Sequence, residues 1–289
     1  MEMEIRNKRN KIEKNEQPRF NSKKGLVKNP RLFEVYLMPL VAFVLFILIW
    51  QFGVQITGAP HYILPKPTDI FNAAIENSSN MFLSVVRTIS AALIGFIISV
   101  VVGITGAIIM ASSKILQKSL YPYAILLQTV PIVAIAPIIV IWFGSGINAI
   151  VVIAFIIGFF PMLSNTLVGL NSTDHNMINL FQMYSASKWQ IMFKLRLPAA
   201  LPYIMAGLKI SCTLAIVGAI VGEYVAGIGG GQGGLGYAIT VAAARLQTPY
   251  LFALGLASSI LGILFFLVVN AFSKWVLSSW HESEMKIEN

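Results

Sequence analysis

The chain has one cysteine, three histidines and little charge. Cys212 alone excludes an internal disulfide framework and a paired-cysteine redox site. His61, His175 and His281 fall in different segments with no carboxylate cluster beside them, so no metal site and no cofactor are expected. Charged residues are 11% of the 289, against about 25% in an ordinary soluble domain, and the stretch from Ser119 to Thr173 contains none. A soluble enzyme of this length would need charge over its whole surface. No glycine-rich run ends in Gly-Lys-Ser/Thr, so the chain has no P-loop, and any ATP-driven step belongs to a separate chain.

What fills the chain instead is apolar: 56% of residues are hydrophobic and the mean hydropathy is +0.75. A membrane span needs about 20 mostly apolar residues. Six such stretches can be drawn, at Leu37 to Ile56, Ile89 to Ala111, Tyr123 to Phe143, Ala149 to Leu170, Leu201 to Val225 and Tyr250 to Ser273. The third and fourth are divided at Gly144-Ser145-Gly146. Pro131 and Pro137 fall inside the third, where each removes a backbone donor and kinks on a pathway wall are expected. The fold class predicted is an all-α, polytopic membrane protein with six transmembrane helices.

The net charge of +9 does not point to nucleic acid, because ten of the 21 basic residues lie between Arg6 and Arg31, ahead of the first apolar run. That tail is poor in large apolar residues, so it is expected to be disordered and to act as a topology signal. With the tail inside, the cytoplasmic segments also hold Lys114, Lys118, Lys188, Lys194, Arg196, Lys274 and Lys286, while Lys66, Arg245 and Arg87 face or approach the exterior. Both termini are therefore expected in the cytoplasm, as is the connection between the fourth and fifth spans. The divisions expected are a basic tail over 1–35, a first helix and external loop over 36–83, a multi-span body over 84–272 and a cytoplasmic tail over 273–289. In the external connection, KPTDI followed by Phe71 to Ile75 predicts a short surface helix. It serves either as a contact for an external partner or as a passive linker.

The cytoplasmic connection carries the strongest pattern. Met177, Leu180, Phe181 and Tyr184 recur at i, i+3, i+4 and i+7, and after a break at Ser185 the residues Trp189, Met192, Phe193 and Arg196 repeat that spacing. Two short helices at an angle, stopped at Pro198, are predicted. On periodicity alone a membrane-surface helix joining two spans fits equally well.

Residues 179 to 198 resemble the cytoplasmic loop of ABC importer permeases, whose pattern is Glu-Ala-Ala, three residues, Gly, nine residues, Ile, one residue, Leu-Pro. Leu197 and Pro198 match the final pair and Leu195 stands for Ile. Ser185 replaces the Gly, and Asn179, Leu180 and Phe181 replace Glu-Ala-Ala. PAALPYIMAGL from Pro198, VGEYVA from Val221 and GLGY from Gly234 are similar to the branch that includes nitrate, sulfonate and taurine importers. So are Pro131, Ala134, Pro137, Gly144, Phe160, Pro161, Asn165, Thr166 and Gly169. The resemblance runs from about Ser84 to Phe272. It implies the type I importer permease fold, with a coupling helix between the fourth and fifth spans built on Leu180, Phe181, Tyr184, Ser185, Ala186, Ser187, Trp189, Leu195, Leu197 and Pro198. It also implies the partners: two ABC ATPase subunits, an external substrate-binding protein and a second permease copy, in the cell (inner) membrane. The branch favours a small anion such as a sulfonate, taurine or nitrate, with pyrimidine thiamine precursors or riboflavin as the alternative.

Glu223 is the one carboxylate within a predicted span, and an ionisable group there is a functional candidate by default. Two readings stand: a residue setting the geometry of an outer gate, which is preferred, or an anchor for the glycine run Gly227 to Gly236, itself expected to be a flexible external turn. The resemblance places an acidic residue at this point too. Gln128, Pro131, Asn165 and Thr166 either line an aqueous path or bond neighbouring helices. Gly218 and Gly222 form a GxxxG, which packs within the chain or against a second copy. A secondary transporter would call for intramembrane acidic or histidine relays and an internal repeat, and an intramembrane enzyme for a nucleophile with its base. Neither pattern is present in the sequence.

Overall fold

The computed structural model describes residues 32–226 and 233–278. Residues 1–31 of the basic tail, most of the glycine run and residues 279–289 of the C-terminal tail lie outside these, while 32–35 and 273–277 are helical. Twelve α-helices and one π-helical turn are found among the described residues. The chain divides into two units, 1–52 and 53–289.

Helix α1, Leu32–Thr57, belongs mostly to the first unit. Between Leu37 and Trp50 it is apolar on all sides, with Met38, Phe43, Phe46 and Ile49 exposed, which suits a lipid-facing span.

The second unit is organised around three long helices, α3 (Ser78–Ser112), α6 (Ile147–Asn171) and α10 (Leu201–Ala226), which pack on one another. Small residues let them come close. A Cβ on Gly218 would stand 2.7 Å from the Ala154 Cα, and one on Gly222 would stand 3.1 Å from the Ile150 Cα. The GxxxG therefore packs α10 against α6 within the chain. Inside a bilayer, side-chain hydroxyls also join helices. Ser99 donates to the Phe155 carbonyl at 2.9 Å, and Ser211 donates to the Gly158 carbonyl at 2.7 Å. Helix α12, Thr248–Leu277, lies against α10 and against the short helix α11, Leu235–Ala244.

Among the described residues five helices are long and apolar enough to span, and the sixth predicted stretch is divided. The sequence predicts one kinked helix over Tyr123 to Phe143. Instead α4 runs Lys114–Thr129, α5 runs Ile132–Phe143, and they meet at 98°. Pro131 is the cause: it holds Val130 in an extended conformation (φ −69°, ψ 124°) and has no N–H for the preceding turn. Pro137, further along, sits within α5 without breaking it. The Gly144-Ser145-Gly146 boundary stands as expected, with positive φ of 80° at Gly144 and 143° at Gly146.

The predicted surface helix is α2, Pro67–Glu76. Its first turn is fixed by Asp69, whose carboxylate accepts the Lys66 N–H at 3.3 Å and pairs with His61 at 2.9 Å.

The inner core places the loops at two ends. Ala111, Lys114, Leu170 and Arg196 come together at one end, here the basic end. Arg87, Gly146, Ala226 and Gly234 come together at the other.

Candidate functional site

The segment between α6 and α10 divides into helices at Ser185 as the sequence predicts, but Pro198 does not stop the second run, and the hydrogen bonds say why. Helix α7, His175–Met183, is opened by Asp174, whose carboxylate accepts the Asn176 N–H at 2.8 Å. It is closed at Ser185, which has φ 55°. The Ser185 N–H reaches the Gln182 carbonyl at 2.9 Å, and the Ala186 N–H reaches the Phe181 carbonyl at 3.0 Å. This pair of bonds is the Schellman closure, whose left-handed position favours glycine. Ser185 therefore occupies a glycine conformation without being glycine, at a strain of roughly 1–2 kcal/mol.

Two residues later the chain turns helical again. Ser187 accepts the Gln190 N–H at 3.2 Å while the Gln190 side chain accepts the Ser187 N–H at 2.7 Å, a reciprocal cap that starts α8, Lys188–Ile191. A π-helical turn over Met192–Arg196 and the short α9, Leu197–Ala199, follow without a gap in the chain. The Leu197 N–H bonds back to the Met192 carbonyl, five residues away. Pro198 cannot donate to Lys194, and the wider turn absorbs that missing bond.

These caps present two faces. Ile178, Ile191 and Met192 are buried and tie the segment to the rest of the unit. On the opposite side Met183 is 83% exposed, Tyr184 82% and Trp189 63%, with Met177, Leu180 and Phe193 also exposed. Trp189 and Phe193 stack with ring centres 5.8 Å apart. Of the remaining predicted residues, Ser187 is exposed, and Phe181, Ala186, Leu195, Leu197 and Pro198 are half-buried. The periodic face of Met177, Leu180 and Tyr184 thus points away from the core. An apolar ridge on a charged end of a membrane protein marks a contact surface.

At the opposite end Glu223 is 1% exposed and bonded on both sides. Its Oε2 accepts the Gly236 N–H at 2.8 Å and the Thr88 hydroxyl at 3.0 Å. The Thr88 oxygen in turn accepts the Leu235 N–H at 2.8 Å. Leu235 and Gly236 begin α11, so two of the donors that every helix start leaves open are met by side chains from α3 and α10. Glycine makes the approach possible. A Cβ at Gly234 would run into the Glu223 carboxylate and the Thr88 hydroxyl, and one at Gly236 into the Ile220 carbonyl. Beside this node lies a cavity of about 420 Å³, lined by Arg87, Ser90, Ser145, Gly146 and Glu223 among others. Thr88 was missed in the sequence. A lone threonine in an apolar run gave a weak signal, and nothing linked it to a carboxylate so distant in the chain.

The other candidate pathway residues differ in their surroundings. Gln128 is exposed near the end of α4, and Pro131 starts α5 at the break. Asn165 turns back on its own helix, donating to the Pro161 carbonyl at 2.8 Å. Thr166 is fully buried and its hydroxyl has no partner among the described residues.

Comparison with known proteins agrees with this architecture. The chain is 33% identical over 249 residues to the formylaminopyrimidine transport permease protein ThiX of Halalkalibacterium halodurans, covering 86% of this chain and 97% of that one. It is 33% identical over 245 residues to the riboflavin transport system permease protein RibX of Chloroflexus aurantiacus, covering 84% and 90%. With the putative aliphatic sulfonates transport permease protein SsuC of Bacillus subtilis it shares 31% over 229 residues, 78% of each chain. Residues 100–279 match the family described as binding-protein-dependent transport system inner membrane component. The chain belongs to that family, the permease components of ABC importers, and is a transport component rather than an enzyme.

Proposed function

We propose that the chain is the permease subunit of an ATP-driven importer in the cell membrane, with both termini and the 174–199 segment in the cytoplasm. The observation that carries this reading is the exposed apolar ridge around the Ser185 turn, held by reciprocal caps and displayed at the end where Lys114, Lys188 and Arg196 gather. Two ATPase subunits dock on this ridge, one for each of two copies of the chain. When the ATPases close, the ridge moves and transmits the motion through Ile178, Ile191 and Met192 to α6 and α10, so the path between the copies opens outward. ATP hydrolysis resets it. A binding protein outside the membrane delivers the solute.

Glu223 acts in this scheme by holding α11 in place. The carboxylate and Thr88 set the position of the helix beside the outer cavity, so their part is the geometry of the outer end rather than direct solute contact.

For the solute, the residue pattern first pointed to a small anion and second to a pyrimidine precursor or riboflavin. The long matches to a formylaminopyrimidine and a riboflavin permease, covering 97% and 90% of those chains, support the second class. We infer a small nitrogen heterocycle.

Reporter fusions test the placement. Fusions after Lys118 and Lys194 should report cytoplasm, and a fusion at Gly146 should report the exterior. An exterior signal at Lys194 would remove the docking segment from the reach of any cytosolic ATPase.

A further inference from the structure

At the basic end, the α3–α4 turn, the end of α6 and the 174–199 segment line an open cleft of about 440 Å³. Lys114, Lys188, Arg196 and His175 line it with Gln117 and Gln182, and no carboxylate is among its lining residues. The nearest acid in sequence, Asp174, is occupied in capping α7 through the Asn176 N–H at 2.8 Å. Arg196 is the least satisfied of these groups. Its Nε is buried with no hydrogen-bond partner among the described residues, and its Nη1 reaches only the Ala111 carbonyl, at 3.4 Å. Three cationic side chains thus face one space with nothing of opposite charge in it. A guanidinium with unspent planar donors is suited to an oxyanion, and Lys114 and His175 each stand in the first turn of a helix, where the backbone also favours negative charge.

We propose that this cleft binds a phosphate group, in addition to the docking role of the outer ridge; the proposal rests on the cytoplasmic placement of the segment given above. Arg196 and Lys188 hold the phosphate from the coupling segment, and Lys114 and Gln117 hold it from α4. Bound there, it ties the segment that takes up the ATPase motion to the helix that leads into the Pro131 break. The phosphate is supplied by an acidic phospholipid headgroup of the inner leaflet or by a free phosphorylated compound, since both present the same oxygens.

The full-length chain, purified in neutral detergent without phosphate, is melted against increasing inorganic phosphate and, separately, phosphatidylglycerol, with phosphatidylcholine as control. A saturable rise in melting temperature is expected, with binding about tenfold weaker in Arg196→Gln and in Lys188→Gln. Lys118→Gln and Lys274→Gln, basic residues that do not line the cleft, should titrate like the parent. A response to inorganic phosphate assigns a soluble ligand, and a response to phosphatidylglycerol alone assigns the headgroup. If Arg196→Gln does not fold, Lys188→Gln, whose side chain is exposed, carries the comparison. No saturable rise with either ligand, or an equal rise in the Lys188 and Lys118 variants, would overturn the site. So would loss of ATPase retention in Lys188→Gln without any phosphate response, which would give the cleft to the partner protein. Ala186→Arg should leave the phosphate titration unchanged, so failure of the docking surface and failure of this site are told apart.

Discussion

Thr88 and Glu223, 135 residues apart in the chain, meet at 3.0 Å in the buried interior, and together they accept the first two N–H groups of α11. A helix start that in a soluble protein would be capped by its own preceding residue is capped here from two other helices. Gly234 stands in that preceding position and has no side chain to offer.

Substitution at Glu223 should separate charge from hydrogen bonding. Glu223→Ala strands a buried N–H and should cost about 1–3 kcal/mol, while Glu223→Gln keeps an acceptor for Gly236 and should cost much less. Both should insert in the membrane. Uptake should fall in Glu223→Gln and further in Glu223→Ala, and detergent melting curves should rank them in the same order. Equal stability of the two variants would show that the Gly236 bond contributes nothing.

Glycine at position 234 is predicted to be required for space. Gly234→Ala places a methyl group against both Glu223 and Thr88 and should lower the melting temperature markedly. Gly255→Ala, with nothing within 4 Å of the added carbon, should leave it unchanged or raise it by removing a helical glycine, a gain of up to about 1 kcal/mol. The pair is compared on purified protein by thermal unfolding.

Ser185 offers a gain rather than a loss. Its φ of 55° means that Ser185→Gly should relieve roughly 1–2 kcal/mol of strain in the turn, and Ser185→Val should add to it. Proteolysis rates at the 183–187 turn should fall in the glycine variant and rise in the valine variant. Identical rates would mean the closure is not under strain.

Much of this arrangement was legible in the chain where a local rule acts. Apolar length marked the spans, Gly144 and Gly146 marked a division that needs positive φ, and the broken spacing at Ser185 marked the turn between two short helices. The apolar run continues through Pro131, so the sequence reads it as lying inside a helix. Its effect depends on Val130 becoming extended, which turns a kink into a 98° corner. The Thr88–Glu223 contact follows from how α3 and α10 pack, and no periodicity within either helix encodes it. Likewise the π-helical turn answers to the donor that Pro198 lacks, which no periodicity in the segment encodes.

The solute class is open to a direct comparison. In membrane vesicles containing the complete transporter and its binding protein, a labelled formylaminopyrimidine should be taken up and should be displaced by other small nitrogen heterocycles. Excess taurine or nitrate should not compete. Competition by the anions and none by the heterocycles would return the chain to the anion class.

The docking of an ATPase on the ridge beside Ser185 is tested most directly by retention on purification. Ala186 is half-buried next to the exposed Tyr184 and Trp189, so Ala186→Arg adds bulk and charge to the ridge without touching the core. Affinity-purified from membranes in mild detergent, the parent chain and Ser185→Gly should bring the ATPase subunit with them. Ala186→Arg should be inserted at the same level and bring little or none, with uptake abolished. Full retention of the ATPase by Ala186→Arg, with uptake intact, would contradict the assignment of this segment as the docking surface.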